Sequence, residues 1–400
     1  MHSQRHERVL AVTNVQSIEE AAAAAREIAV RIAAPLSEEI DRDRLWPEKS
    51  LRALQAAGLG GLVVPQESGG LGLGLLALAR VCEELGRACG STAICFGMHS
   101  VGAAVIAAKA TESQKETLLR PIAEGKHLTT LALSEPESGA HFYLPESAIR
   151  RVSSGEFEVS GSKSFVTNGG RSDSMVISVA AEATDEAPGR FSCLVIDAHA
   201  PGVQWMKQEW GGLGMRGNAA LSAELREARV PAENLLGSEG DQIWYVFNVI
   251  APYFVMAMAG TYLGIAAAGV EEARKHLMDR RHSHTGGALG DIPLLQHRLG
   301  TIWAQVERTR QLIYSAAAQG DLGNEEALPA ILSCKAEVAD CAVNVLNEAM
   351  TLAGGLGYRE NGPLARMLRD ARAAHVMSPT TDLLRTWTGR ALLGLPLLGD

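Results

Sequence analysis

The chain has 400 residues, of which 46% are hydrophobic, 21% charged and 5% aromatic, and its net charge is −9. That length and apolar content support two or three domains with a sizeable core and exclude a disordered chain. The acidic balance, with no run of Lys or Arg, argues against a phosphate-tracking face, so no nucleic-acid partner is expected.

Residues 17 to about 125 read as helical. Ser17 stands three residues before Glu20, the spacing of a capping box, and opens SIEEAAAAAREIAVRIAAPLSEEID. Further helices are expected at WPEKSLRALQAAG, LLALARVCEELGRAC and ESQKETLLRPIAEG, separated by Gly-rich breaks such as residues 58–74. From about 128 to 236 the texture changes to short β-branched runs between turn residues: EFEVSGSKSFVTN, SMVISVAA, FSCLVIDA and LREARVP. This reads as a small, largely antiparallel β domain. From about 240 onward Ala- and Leu-rich helices return. The stretch from Gln242 to Val270 carries no charge and is long enough to span a bilayer. Asn248, Pro252, Thr261 and many small residues dilute it, so it reads as a helix buried in a bundle, with no membrane association.

Three domains are therefore expected: a helical one at 1–127, a β domain at 128–238 and a helical bundle at 239–400. A cleft where they meet is the natural place for a cofactor. The six cysteines lack CxxC spacing and read as reduced thiols, neither a disulfide frame nor a metal site. MHSQRHERVLAVTNVQ lacks the apolar core of a signal peptide, which makes a cytoplasmic location the expectation.

Three segments carry candidate chemistry. In LALSEPESGAHF (131–142), Ser134 and the turn from Pro136 to Gly139 could set a hydroxyl and backbone N–H groups against a polar ring, or simply join two domains. In GSKSFVTNGG (161–170), Phe165 and Thr167 alternate onto one strand face, an aromatic beside a hydroxyl that suits a flat cofactor; an ordinary strand reads the same way. AGGLGYRENGPLARMLRDARAAHVMSPTTDLLR (353–385) has a Gly-rich turn that permits close backbone approach. A helix bearing Arg366, Arg369 and Arg372 follows, with Asp370 placed to pair with one of them, then Ser378–Pro379–Thr380.

Taken in order, these segments resemble the acyl-CoA dehydrogenase flavoprotein family over essentially the whole chain. LVVPQESGGLGLG is similar to the family's PEEYGGxG, SEPESGAH to TEPxAGSD, and GSKSFVTN to GxKxWITN. GGLGMRGNAALSAELREARVPAENLLG resembles the segment ending VPxxNxLG, and GGLGY…RDAR the C-terminal signature. The resemblance implies a mainly α fold: an N-terminal helical domain, a β-barrel-like middle domain and a C-terminal four-helix bundle. It implies FAD, and a homotetramer or homodimer. Leu133, Ser134 and Gly139 fall in the flavin-contacting loop, Phe165 where a Trp shields the isoalloxazine ring, Thr167 where a Thr bonds its edge, and Thr380 at a flavin-proximal Thr. Arg280 matches the Arg that reaches a neighbouring subunit's FAD, and Gly354 and Gly355 the glycine pair beside that cofactor.

The match departs at the catalytic base. Ser378 occupies the place of the usual Glu, and the family's second Glu position holds Phe254–Val255. Ala140–His141 replaces a Ser–Asp pair, and HSHTGGALGDIP (282–293) replaces a Phe–Gly; His282 and His284 there read as loop residues, not metal ligands. Three functions stay open. One is α,β-dehydrogenation of an acyl thioester, on CoA or a carrier protein, with another base: His99, His375 or Asp382. The second is flavin-dependent monooxygenation of an amine, sulfur or aromatic substrate, which needs no α-proton base. The third is a non-catalytic flavin-binding subunit. The expected electron acceptor is an electron-transfer flavoprotein or oxygen.

Overall fold

The computed structural model describes residues 15–139, 141–181, 191–206, 211–284 and 286–398. Ser17 opens the first helix as its spacing requires. Its hydroxyl accepts the Glu20 N–H at 3.2 Å and the Glu20 carboxylate accepts the Ser17 N–H at 3.0 Å, so two orphan donors are satisfied reciprocally. Helix α1 (Ile18–Ile28) runs through a π-helical turn (Ala29–Ala33) into α2 (Ala34–Asp43), followed by α3 (Glu48–Ala56), α4 (Leu75–Ala88) and α5 (Gly90–Ala108). Short helices α6 (Glu112–Gln114) and α7 (Arg120–Ala123) complete this region. The sequence reading did not single out α5, because every residue from Gly90 to Ile106 is buried and no polar face marks a period.

Eight strands follow: β1 (Thr129–Ala132), β2 (Ala148–Ser153), β3 (Glu156–Val166), β4 (Ser174–Ala181), β5 (Phe191–Asp197), β6 (Val203–Trp205), β7 (Leu221–Pro231) and β8 (Leu235–Leu236). The sheet order is β6-β7-β3-β2-β4-β5-β8, with β1 alongside β4. Most pairs are antiparallel as expected, but β4 pairs in parallel with both β1 and β2. Alternate residues of β4 serve two cores. Met175, Ile177 and Val179 face the sheet's own interior with Phe157, Leu194 and Leu225, whereas Val176 joins the helical core with Cys193 and Val195. A strand buried on both faces reads as a continuous apolar run, which is why SMVISVAA stood out.

The C-terminal region contains α8 (Gln242–Tyr245), a π-helical turn (Val246–Ile250), α9 (Ala251–Asp279), α10 (Pro293–Asp321), α11 (Leu328–Gly357), α12 (Pro363–Val376) and α13 (Thr381–Leu392). The uncharged stretch is the centre of this bundle: 89% of its most apolar window lies inside the fold. Small residues there let α9 lie directly on α4. A Cβ added to Gly86 would stand 2.3 Å from the Thr261 carbonyl oxygen, and one on Gly264 2.2 Å from that of Glu83. Glu83, buried beside this seam, accepts from Arg310, Arg87 and the Tyr314 hydroxyl, tying α10 to α4. All six cysteines are buried free thiols.

Candidate functional site

The three regions meet around a cavity of about 670 Å³. Met98 of α5 reaches it, as do Leu133, Ser134, Glu135 and Gly139 after β1, and Ser164, Phe165 and Thr167 at the end of β3. Gly214, Met215 and Asn218 precede β7; Ile250, Ala251 and Phe254 come from the start of α9; Met377 to Thr380 follow α12.

The loop after β1 is held by a charge pair that motif reading alone did not reveal. Lys163 of β3 is fully buried and its ammonium bonds the Glu135 carboxylate and, at 2.6 Å, the Ser178 carbonyl. The same carboxylate accepts the N–H of Glu146 at 2.6 Å and of Ser147 at 3.1 Å. Glu135 is thus consumed in shaping its loop, and the Ser134 carbonyl takes the Ser164 N–H at 2.8 Å. The SEP and GSK motifs are two halves of one buried contact. Past Lys163 the pairing with β7 shifts register, and Phe165 takes φ +56°. Simple alternation therefore does not bring Phe165 and Thr167 to the cavity; the bulge does. Asn168 anchors the next turn, accepting from the Trp46 indole and donating to the Cys95 carbonyl, both at 2.9 Å.

The arginine-bearing helix α12 has a different role from the expected one. Among the described residues Asp370 pairs with no arginine through a hydrogen bond; its carboxylate accepts the Met215 N–H at 2.6 Å, and burial pushes its pKa up to about 6. Arg369 forms a two-pronged pair with Asp41 and donates to the Leu213 carbonyl at 2.9 Å. Gly214 sits against the backbone at Arg369, where a Cβ would meet atoms at 2.3 Å. Together these contacts press residues 213–215 onto α12 and set that wall of the cavity.

The turn after α12 is the most heavily braced. Lys335, buried in α11, donates to the carbonyls of Ala374 (2.9 Å), Met377 (2.8 Å) and Pro379 (2.8 Å). The Tyr262 hydroxyl of α9 donates to the Met377 sulfur at 2.9 Å, and the Thr380 hydroxyl caps α13 by accepting the Leu383 N–H at 3.3 Å. Ser378 stands on the cavity wall between these contacts.

The structure therefore gathers Leu133, Ser134, Gly139, Phe165, Thr167, Ser378 and Thr380 at one cavity. It does not gather the proposed replacement bases. His99 is buried away from the wall; one ring nitrogen meets the Gly60 carbonyl at 2.9 Å and the other accepts the Thr129 N–H at 3.1 Å. That pairing fixes a neutral tautomer, and burial lowers its pKa to about 4, so His99 is a structural link between α5 and β1. His375 points to the other side of α12, 3.8 Å from Asp340, and Asp382 is exposed in the first turn of α13. Arg280 and the Gly354–Gly355 pair also lie off this cavity: Arg280 is exposed where α9 ends, and the glycines are exposed at the end of α11, with Gly354 at φ +56°. The His282 and His284 rings lie 5.3 Å apart and tilted by 57° after the end of α9, and Ala140 lies outside the described residues.

Comparison with known proteins matches this arrangement throughout. Residues 16–126, 130–228 and 252–393 fit the profiles of the N-terminal, middle and C-terminal domains of acyl-CoA dehydrogenases. Cyclohex-1-ene-1-carbonyl-CoA dehydrogenase of Geobacter metallireducens is 31% identical over 370 residues, covering 92% of this chain and 96% of that protein. The chain belongs to the acyl-CoA dehydrogenase family. The short-chain specific acyl-CoA dehydrogenase of Clostridium acetobutylicum is 28% identical, with 90% of this chain and 93% of that protein covered. Butyryl-CoA dehydrogenase from Megasphaera elsdenii superimposes with a TM-score of 0.88 at 26% identity, over 95% of this chain and 99% of that one. Acyl-CoA dehydrogenases are FAD-dependent oxidoreductases, and the cavity fits that cofactor. Phe165 is 66% exposed at the cavity wall in a backbone conformation that costs energy to hold, a surface a flat ring would cover. Space is open where a Gly139 side chain would stand, and hydroxyl-bearing Ser134, Thr167 and Thr380 supply polar edges to an otherwise apolar wall.

Proposed function

We propose that this acyl-CoA dehydrogenase family member removes an α-proton and a β-hydride from an acyl thioester bound in the cavity, leaving an α,β double bond. FAD, when bound, supplies the hydride acceptor. Leu133, Ser134, Gly139, Phe165 and Thr167 would hold it on the β-domain side. Met98, Phe142, Ile250 and Phe254 exclude water and take the apolar acyl arm. The observation that carries this reading is the single cavity uniting the loop after β1, the end of β3 and the Ser378 turn.

Both family positions for the α-proton acceptor reach this cavity, as Ser378 and Phe254, and neither is acidic. Among the described residues the one carboxylate on the wall is Glu135, which Lys163 and two backbone N–H groups already occupy. Ser378 is therefore the group presented at the family's base position, and it can take the α-proton only as its alkoxide or by passing its own hydroxyl proton on to solvent, a weak arrangement near neutral pH. The same observation supports a second reading, flavin-dependent oxygenation of an amine, sulfur or aromatic substrate, which requires no α-proton base.

Anaerobic mixing of the FAD-loaded protein with a panel of acyl-CoAs decides between them. Bleaching of the flavin absorbance is expected, and Ser378→Glu should accelerate it by restoring a carboxylate. No bleaching by any thioester, with rapid oxygen uptake by pre-reduced protein when an amine or sulfide is added, establishes the second reading instead.

The natural carriers of such an acyl group are CoA and a carrier protein, and the reduced cofactor would pass electrons to an electron-transfer flavoprotein or oxygen. The exposed positions of Arg280, Gly354 and Gly355 support a homotetramer or homodimer in which they approach a neighbouring subunit's FAD. A cytoplasmic location suits the six unpaired thiols.

A further inference from the structure

The turn that displays Ser378 is organised around a buried lysine that pairs with no carboxylate among the described residues. Lys335 is fully buried, forms no ion pair among the described residues, and gives its N–H groups to three carbonyls. Two of those carbonyls, from Met377 and Pro379, flank Ser378 on either side. One carbonyl per N–H is a coordination that suits the ammonium. Burial works against it, lowering the amine pKa to about 7. The uncharged contacts of the turn, from Tyr262 to the Met377 sulfur and from Thr380 to the Leu383 N–H, fix its shape without adding charge.

We propose that Lys335 is the positioning residue of this site: its ammonium clamps the backbone on both sides of Ser378 and sets a positive charge behind that side chain, favouring an anionic group at position 378. This rests on the reading that Ser378 faces the reacting carbon. It assigns the buried lysine a part in the reaction beyond holding helices together. In a low-dielectric interior an unscreened charge acts over the few ångströms that separate the carbonyls from the residue between them. The group at 378 then relinquishes its proton more readily than it would in water.

The test uses the FAD-loaded protein and requires no substrate turnover, so it remains informative if acyl thioesters prove not to be the substrates. Ser378→Cys places a thiol on the cavity wall, while the six native cysteines are all buried, so iodoacetamide reports on the new thiol. Its alkylation rate is followed against pH, alone and with Lys335→Met. FAD content and thermal midpoint establish that each variant is folded. The expected result is that Lys335→Met slows alkylation of Ser378→Cys roughly threefold to tenfold at about pH 6, where the lysine is protonated, and that the two rates converge as pH rises through about 7 and the lysine loses its charge. Tyr262→Phe, which removes an uncharged contact with the same turn, should leave the pH profile in place. If Lys335→Met does not fold, Lys335→Gln keeps donors without charge and should give the same slowing. An unchanged alkylation profile on loss of the Lys335 charge, or an equal shift in Tyr262→Phe, overturns the assignment. No flavin bleaching with acyl-CoAs but a charge-dependent thiol overturns the dehydrogenase reading and leaves the clamp standing.

Discussion

Asp370 gives the clearest pH-dependent consequence at the scale of one residue. Its carboxyl is buried with a single backbone donor, the Met215 N–H, and its pKa rises from 3.8 to about 6. A carboxyl whose folded pKa lies above its unfolded value binds more protons in the native state. Its contribution is therefore fully present below about pH 4 and is lost as pH rises through about 6. Asp370→Asn keeps an acceptor for Met215 and removes the titration. Between pH 4 and 7.5 the parent should lose stability relative to this variant by up to about 3 kcal/mol, read from denaturant midpoints across that range. Parallel stability curves for the two proteins would show that Asp370 stays ionised in the fold. The residue was legible in the sequence as part of RDAR, but its partner was not, because the obvious arginines on the same helix are drawn to Asp41 and to the Ala88 carbonyl.

At the scale of elements, the motifs were legible as strings and their couplings were not. The end of β3 and the loop after β1 were separate candidates in the sequence; in the fold they are fastened by Lys163 and Glu135, 28 residues apart. Lys163→Met would strand the Glu135 carboxylate in the core. A loss of about 3–5 kcal/mol in stability is expected, together with lower FAD retention. Adding Glu135→Gln should recover a substantial part of that loss, because it removes the orphaned charge; a double variant as unstable as the sum of the two singles would deny the coupling. The elements that escaped the sequence reading share a cause. Helix α5 is apolar on every face and β1 is only four residues long, so neither displays the period that reveals an amphipathic segment. His99 belongs to that same apolar helix, where the sequence gives no sign that both ring nitrogens already meet backbone groups of Gly60 and Thr129.

For the whole molecule, residues the resemblance assigns to FAD fall into two sets, one on this chain's cavity and one on its outer surface. If the outer set serves a neighbouring subunit, Arg280→Ala should leave the fold unchanged and loosen the cofactor. Retention of FAD through gel filtration is expected to fall several-fold while far-ultraviolet circular dichroism stays the same; undiminished retention at every protein concentration removes Arg280 from the site. The order of domains was readable from composition alone, because a β insert between helical halves changes residue usage abruptly. What joins the halves was hidden in residues that carry no chemistry. Gly86 and Gly264 bring α4 and α9 to backbone contact, leaving no layer of side chains between them to act as a bearing. Surfaces meshed at that distance cannot slide without first separating. The two helical domains consequently behave as one anvil, and the walls of the cavity that can yield to a substrate are the loops laid against it, residues 134–139 and 211–220.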